Sequence, residues 1–306
     1  MKDPVIKISI ILVSYNTAEL TVNAISSIYE KTNGVVYEII LVDNLSKDNT
    51  LSLVRHNFPN VICIENNKNS GFGSANNIGV KVARGEYVFL LNTDTVLMNN
   101  AIKILSDYLD QNIDNNVAAV CGNLYDLNNR PATSYSKLFP SIFLELNTLC
   151  FNFLHKIKLV NFCFNYSNRP IHFRGSLSGA DCMLVKRHFE DVNGFDENFF
   201  LYYEETDLFY RLIKNGYLVA SVPQAKIIHL EGASESIQEK TLIRSFTSKF
   251  IYLKKHKSKY EYYHYLYQCT VLSRMFFFRM LGKKEKYEYW NLLKTTESRM
   301  YSESKK

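Results

Sequence analysis

The chain reads as an α/β protein: a doubly wound, mostly parallel sheet with an inserted helical segment and a C-terminal helical extension rich in aromatic and basic residues. Three observations predict it. Apolar runs of strand length alternate with helix-like segments through the first 120 residues, the pattern of strand–helix–strand units. Each of the first four runs ends in polar turn residues rather than in another apolar stretch. From residue 240 onward the pattern turns helical throughout and carries 9 of the chain's 21 tyrosines.

Taken in order, Ile8–Val13 is a continuous apolar run, as expected for a central parallel strand covered on both faces. Asn16 or Thr17 is placed to cap the helix that follows, with Glu19 in its first turn facing the positive end of the helix dipole. Tyr37–Val42 is a second strand ending at Asp43 and Asn44, a helix over about 48–57 follows, and Val61–Ile64 is a short third strand. Gly71–Gly73 opens a helix that Gly85 ends, and Tyr87–Leu91 is the fourth strand. Residues 130–173 break the alternation and read as an insertion of amphipathic helical character. Leu177–Val185 returns to a small-residue turn and an apolar strand. Residues 204–215 are helical with Gly216 at the C-terminal cap, and short strands at 217–222 and 226–230 bracket Pro223. The expected division is a domain over 1–238 and a helical extension over 239–306.

Composition excludes several classes. With 46% hydrophobic and 22% charged residues, the chain is globular rather than disordered. Its six cysteines show no CxxC spacing, which reads as reduced thiols of a cytosolic protein. The apolar run at 8–13 is too brief for a signal-peptide core, and no stretch offers 18 uninterrupted apolar residues. Net charge is +6, unevenly spread: residues 241–306 hold 15 Lys/Arg against 5 Asp/Glu, or +10, leaving −4 for the rest. An acidic body argues against nucleic-acid binding. A basic, aromatic tail (Lys254 to Lys259, then Met275 to Phe278 between Arg274 and Arg279) suits peripheral contact with an anionic membrane through 241–301, or a helical hairpin packed on the protein itself.

Chemistry concentrates at the strand ends. Ser14-Tyr15-Asn16, Asp43-Asn44, Asn66 to Asn69 and Asn92-Thr93-Asp94 would share one sheet edge, where open α/β sheets bind ligands. Asp94 is a carboxylate suited to a hard divalent ion carrying a phosphorylated ligand; by itself the same stretch also reads as an Asx-turn. Gly71-Phe72-Gly73 lets backbone approach a ligand closely and precedes a helix N-terminus that favours anions, but it is no dinucleotide fingerprint. Asp207 and Arg211 stand at i and i+4, the spacing of a helix ion pair.

As an ordered set over roughly residues 6–235, these stretches resemble family 2 glycosyltransferases of the GT-A fold, particularly the rhamnosyltransferase-like branch. Further matching segments are Gly179-Ala180 before Met183-Leu184, Gly194-Phe195-Asp196-Glu197, Tyr203-Glu204-Glu205-Thr206-Asp207, and His229 with Gly232 and Ser234. The resemblance implies an inverting glycosyltransferase that uses a nucleotide-sugar donor and a divalent metal, Mn or Mg. Tyr15 and Asp43 would contact the base. Ser14, Asn16, Asn44, Gly71, Phe72, Gly73, Asn76, Asn92, Thr93, Gly179 and Ala180 would line the donor site. Asp94 would bind the metal, with Asn92 standing where the family has its first Asp, and His229 would complete the metal site. Glu205 would be the catalytic base although the family usually has Asp there, with Glu204 the alternative. The expected donor is dTDP-rhamnose, then a UDP-hexose; the expected acceptor is a cell-surface polysaccharide or lipid-linked glycan at the cytoplasmic face of the cell membrane. Rival readings are a nucleotidyltransferase, for which Ser14 to Thr17 makes a poor triphosphate loop, and a non-catalytic membrane-associated scaffold.

Overall fold

The computed structural model describes residues 5–152, 167–230 and 239–305. They fall into two compact units, one drawn from Met1–Lys137, Phe164–Phe200 and Glu204–Ser234, the other from Leu138–Cys163, Leu201–Tyr203 and Glu235–Lys306.

The first unit is built on a nine-stranded mixed sheet. Its strands are β1 (Ile8–Ser14), β2 (Tyr37–Asp43), β3 (Ile62–Glu65), β4 (Tyr87–Leu91), β5 (Thr95–Leu97), β6 (Val117–Tyr125), β8 (Ile171–Phe173), β10 (Asp181–Val185) and β11 (Leu218–His229). The order is β3-β2-β1-β4-β10-β6-β11-β5, with β8 also on β11; β7 (Tyr135–Ser136) and β9 (Ser176–Leu177) form a separate small pair. The strands β3, β2, β1 and β4 run parallel, as do β6 and β11; β10, β5 and β8 run antiparallel to their neighbours. Continuous apolar runs make β1, β2 and β4 almost wholly buried. The main core lies where β1, β2, β4, β6 and β10 meet α1 (Ala18–Lys31) and α4 (Ala101–Gln111). The remaining helices of this unit are α2 (Thr50–Asn57), α3 (Phe72–Val82), α6 (Lys186–Asp191) and α7 (Glu204–Lys214).

Three local expectations are corrected. The two strands expected around Pro223 are one strand, β11, whose register against β6 shifts between Ser221 and Lys226. Proline, lacking an N–H, is accommodated where the ladder is interrupted. Gly85 does not end a helix: α3 stops at Val82, and a Cβ at Gly85 would stand 2.6 Å from the Ser9 nitrogen. Its glycine serves the close passage of the chain against β1. Neither Asn16 nor Thr17 caps α1 with its side chain; Asp48 Oδ2 accepts the Ala18 N–H at 3.1 Å instead.

The second unit is helical. α8 (Glu239–His256), α9 (Glu261–Met280) and α10 (Lys284–Ser304) pack together, and α5 (Ile142–Leu149), from the segment read as an insertion, packs on α9. Its interior holds charged and polar side chains. Lys249 pairs with Glu145 at 2.8 Å, His264 with Glu297 at 3.0 Å, and Tyr301 stacks on His264 at 3.7 Å between centroids. Arg274, which flanks the apolar run of the tail, is buried: it donates to Thr148 O and its guanidinium lies 3.3 Å from the Phe151 ring centroid. No helix among the described residues is long and apolar enough to cross a membrane. The five described cysteines are free thiols; Cys163 lies outside the described residues.

Candidate functional site

The four polar clusters do share one edge, because β3, β2, β1 and β4 are parallel neighbours and all end there. Hydrogen bonds tie adjacent clusters together. Ser14 Oγ donates to Asp43 Oδ1 at 3.0 Å, and Asp43 Oδ2 accepts the Ser46 N–H at 2.9 Å. Asn16 adopts a left-handed φ of 55°, donating its N–H to Ser46 Oγ and accepting from Lys47 N at 2.7 Å. Asn44 is the hub of the next pair: its amide donates to Asn69 Oδ1 and Gly71 O, and its oxygen accepts from Asn66 Nδ2 and Ser70 N. Thr17 and Thr93 hydroxyls meet at 3.3 Å. Asp43 and Asn44 are thus buried and engaged within the protein, whereas Tyr15 is exposed. A carboxylate has about four acceptor positions, so Asp43 keeps capacity for a further donor.

Beyond β4, Asn92 N–H donates to Ala180 O at 3.0 Å and Thr95 Oγ1 donates to Asn92 O at 2.7 Å, closing a tight turn. The Asn92 side-chain oxygen is buried with no hydrogen-bond partner among the described residues. β5 then pairs antiparallel with β11, setting Thr95 opposite His229, and Leu230 N–H donates to Asp94 O. That pairing brings His229 Nε2 to 3.3 Å from Asp94 Oδ1. Ligands bonded to one ion at about 2.1 Å and at right angles to each other stand about 3.0 Å apart, so the pair fits two adjacent positions of one divalent ion. No third His, Cys, Asp or Glu completes a cluster with them among the described residues. Such a set suits an ion that takes its remaining oxygens from phosphate and water. Gly232 and Ser234 lie outside the described residues.

The opposite wall is α3. Gly71 has φ +85°, and a Cβ there would stand 2.1 Å from Phe200 O, which also accepts the Phe72 N–H. The close backbone approach expected at Gly71 is therefore made to the protein's own Phe200 carbonyl. Asn76 is buried within α3, donating to Phe72 O, and is not a surface residue. A Cβ at Gly179 would stand 3.5 Å from the Phe72 ring, an ordinary contact distance, and Ala180 is buried beside the Asn92 turn. Asn77 clamps the Gly194-Phe195 turn: its side-chain amide accepts from Phe195 N and donates to Phe195 O, both at 2.9 Å.

From that turn the chain reaches α7 through Tyr202 and Tyr203, whose φ values of 70° and 66° are left-handed. Bulky residues rarely adopt this region, and such strain clusters at functional sites. α7 packs on α3 and β9 and is held by Arg211, whose guanidinium bonds the buried Asp207 at 2.7 Å, Val192 O, and Gly194 O at 2.7 Å. The i, i+4 pair expected from spacing is present, with two further acceptors that spacing cannot reveal. Glu204 opens α7 fully buried, with Oε2 lacking a hydrogen-bond partner. Burial first, then the neighbouring Glu205 charge, pushes its carboxyl well above the usual range. Glu205 is only half-buried, and desolvation raises it as well.

One acid went unassigned in sequence. Asp181, at the start of β10 opposite Leu91, is fully buried, with Oδ2 accepting the Gly122 N–H at 2.7 Å and Oδ1 unpartnered; burial holds its carboxyl far above the normal range. An acidic residue inside an apolar strand run was the available signal.

The sheet is GT-A-like, and the comparisons identify the glycosyltransferase class. Residues 9–167 match the family described as glycosyl transferase family 2, and residues 162–232 match the N-terminal domain of galactosyltransferase. The chain belongs to glycosyl transferase family 2. It is 34% identical over 110 residues to the poly(ribitol-phosphate) beta-N-acetylglucosaminyltransferase TarP of Staphylococcus aureus, covering 35% of this chain and 34% of that protein. It is 48% identical over 64 residues to the N-acetylglucosaminyl-diphospho-decaprenol L-rhamnosyltransferase of Mycobacterium tuberculosis, covering 21% and 20%. The first curated relatives are matched over only 28%, 34% and 24% of their own length. Among solved structures, GalNAc-T7 with UDP, GalNAc and Mn2+ superposes with a TM-score of 0.60 at 14% identity, over 85% of this chain and 50% of that one, a likeness of fold.

Proposed function

We propose that this chain is an inverting, metal-dependent glycosyltransferase that draws a sugar from a nucleotide diphosphate donor, dTDP-rhamnose first and a UDP-hexose second. The observation that carries the reading is the 3.3 Å approach of Asp94 Oδ1 and His229 Nε2 at the edge where the four strand-end clusters meet. A divalent ion held by these two residues would act as Lewis acid on the departing diphosphate. The chain's own residues do the rest. Asp43 accepts the imide N–H of the base, with Tyr15 exposed beside it. Glu205, half-buried and raised in pKa, takes the proton from the acceptor hydroxyl as that oxygen bonds to the anomeric carbon and the carbon–phosphate oxygen bond breaks. Glu204 is nearly sealed from solvent, which favours Glu205 as the residue that meets the acceptor. Names of the relatives support a polymer or lipid-linked acceptor, and Mn2+ and UDP in the fold neighbour support a metal-bridged donor. Transfer would take place at the inner face of the cell membrane, with the basic tail in peripheral contact.

A thermal-shift screen of dTDP-rhamnose and UDP-hexoses with and without Mn2+ tests the donor: stabilisation that depends on the ion is expected. Asp94→Ala should abolish that dependence and transfer while keeping the fold, and full activity after chelation would sink the metal assignment. Glu205→Gln should bind donor normally and lose on the order of 10²-fold in rate; a normal rate would move the base to Glu204.

A further inference from the structure

Among the described residues, one face of α9 is exposed and apolar. Tyr265, Leu272, Phe276 and Met280 stand at i, i+7, i+11 and i+15, one helix face, and are 57%, 49%, 67% and 72% exposed. Between Glu261 and Arg279, at the two ends of the helix, this face carries no ionised side chain. Phe277 continues it sideways to Phe151, whose rings meet edge to face at 5.4 Å, and α5 adds exposed Ile142, Phe143 and Leu146. An apolar surface of this extent on one helix and its neighbour marks a docking site. Its surroundings say for what. Exposed Arg279, Lys283 and Lys284 cluster at its C-terminal end. There the α9–α10 turn borders an open, shallow pocket of about 410 Å³ lined by Phe278, Arg279, Gly282, Lys284, Tyr287 and Glu288.

We propose that this face of α9 seats in the interfacial layer of an anionic phospholipid bilayer, with a lipid headgroup held at the Arg279–Lys284 pocket. Apolar side chains enter the headgroup–acyl boundary while the bordering cations meet anionic headgroups, the arrangement of a helix lying in the membrane plane rather than crossing it. Charge selects this occupant over a second copy of the chain. Residues 241–306 carry +10, so two such faces pressed together would bring like charge against like. The inference gives a face to the membrane contact expected from the basic tail and stands independently of the transfer reaction.

The test is flotation of the full chain with vesicles of phosphatidylcholine alone or with one-third phosphatidylglycerol, alongside sedimentation without lipid. The chain should float with the anionic vesicles, less so at high salt, and stay behind with the neutral ones. Phe276→Asp/Met280→Asp, at exposed positions that leave the bundle interior intact, should lower partitioning at least tenfold with nucleotide-sugar stabilisation unchanged. Arg279→Gln/Lys283→Gln/Lys284→Gln should do likewise and flatten the salt dependence. The proposal is overturned if the wild type fails to float, or if both variants float as it does. A wild-type dimer that becomes a monomer in Phe276→Asp/Met280→Asp would also overturn it and assign the face to a second copy.

Discussion

Arg211 offers a quantitative test of how the acid-bearing helix is held. Its guanidinium makes three bonds, to the fully buried Asp207 and to the carbonyls of Val192 and Gly194, and its side chain is 18% exposed, too little for solvent to screen the pair. Arg211→Met removes the cation from the buried Asp207 carboxylate, and breaking a buried pair by removing one partner costs about 3–5 kcal/mol. For a domain of this size each kcal/mol shifts Tm by about 2–4 °C, so the melting temperature should fall by about 6–20 °C. Asp207→Leu/Arg211→Met removes both charges and should recover half or more of the loss, because replacing a buried ion pair by apolar side chains leaves no buried charge. Differential scanning calorimetry and urea unfolding of the wild type, the two single variants and the double variant complete the cycle. A loss under about 1 kcal/mol in Arg211→Met, or additive effects in the double variant, would refute the argument that this pair anchors α7 to the Val192–Gly194 turn.

Gly71→Ala should destabilise by about 2–5 kcal/mol in urea titration, combining the left-handed backbone cost with the clash against Phe200 O; wild-type stability would show that the turn can shift. Glu204→Gln tests the buried acid through pH. Its folded pKa lies above its unfolded one, so the folded chain holds a proton that the unfolded chain releases, and wild-type stability falls as pH climbs above about 4. The Gln variant lacks this contribution, so its stability relative to wild type should grow from pH 4 toward neutrality; a difference independent of pH would place the carboxylate in water.

Much of the polar strand-end edge was legible in sequence because its signals are local. Apolar runs of five to seven residues followed by Asn, Asp, Ser or Gly mark strands and their ends at once, and parallel order places those ends together. What such signals could not supply were partners far along the chain. His229 reaches Asp94 only because a three-residue strand, invisible as a separate apolar run, pairs Thr95 with His229. The glycine at 71 was read as room for a ligand, and the room is taken by Phe200 O, 129 residues later. Whether Arg274 faced a membrane or the protein was open in sequence, and it is buried on Phe151, while Asp181 read as one more strand residue and is a buried acid.

The sequence by itself determined the α/β order, the polar strand ends and the position of Asp94 in the turn after β4, since each follows from side-chain periodicity and turn chemistry within a few residues. The tertiary structure alone decided the mixed direction of β10 and β5, the bulge that admits Pro223, the sealing of Glu204 and the exposed face of α9. Those depend on which distant segments exclude water from one another, a property of the packed chain that no local stretch encodes.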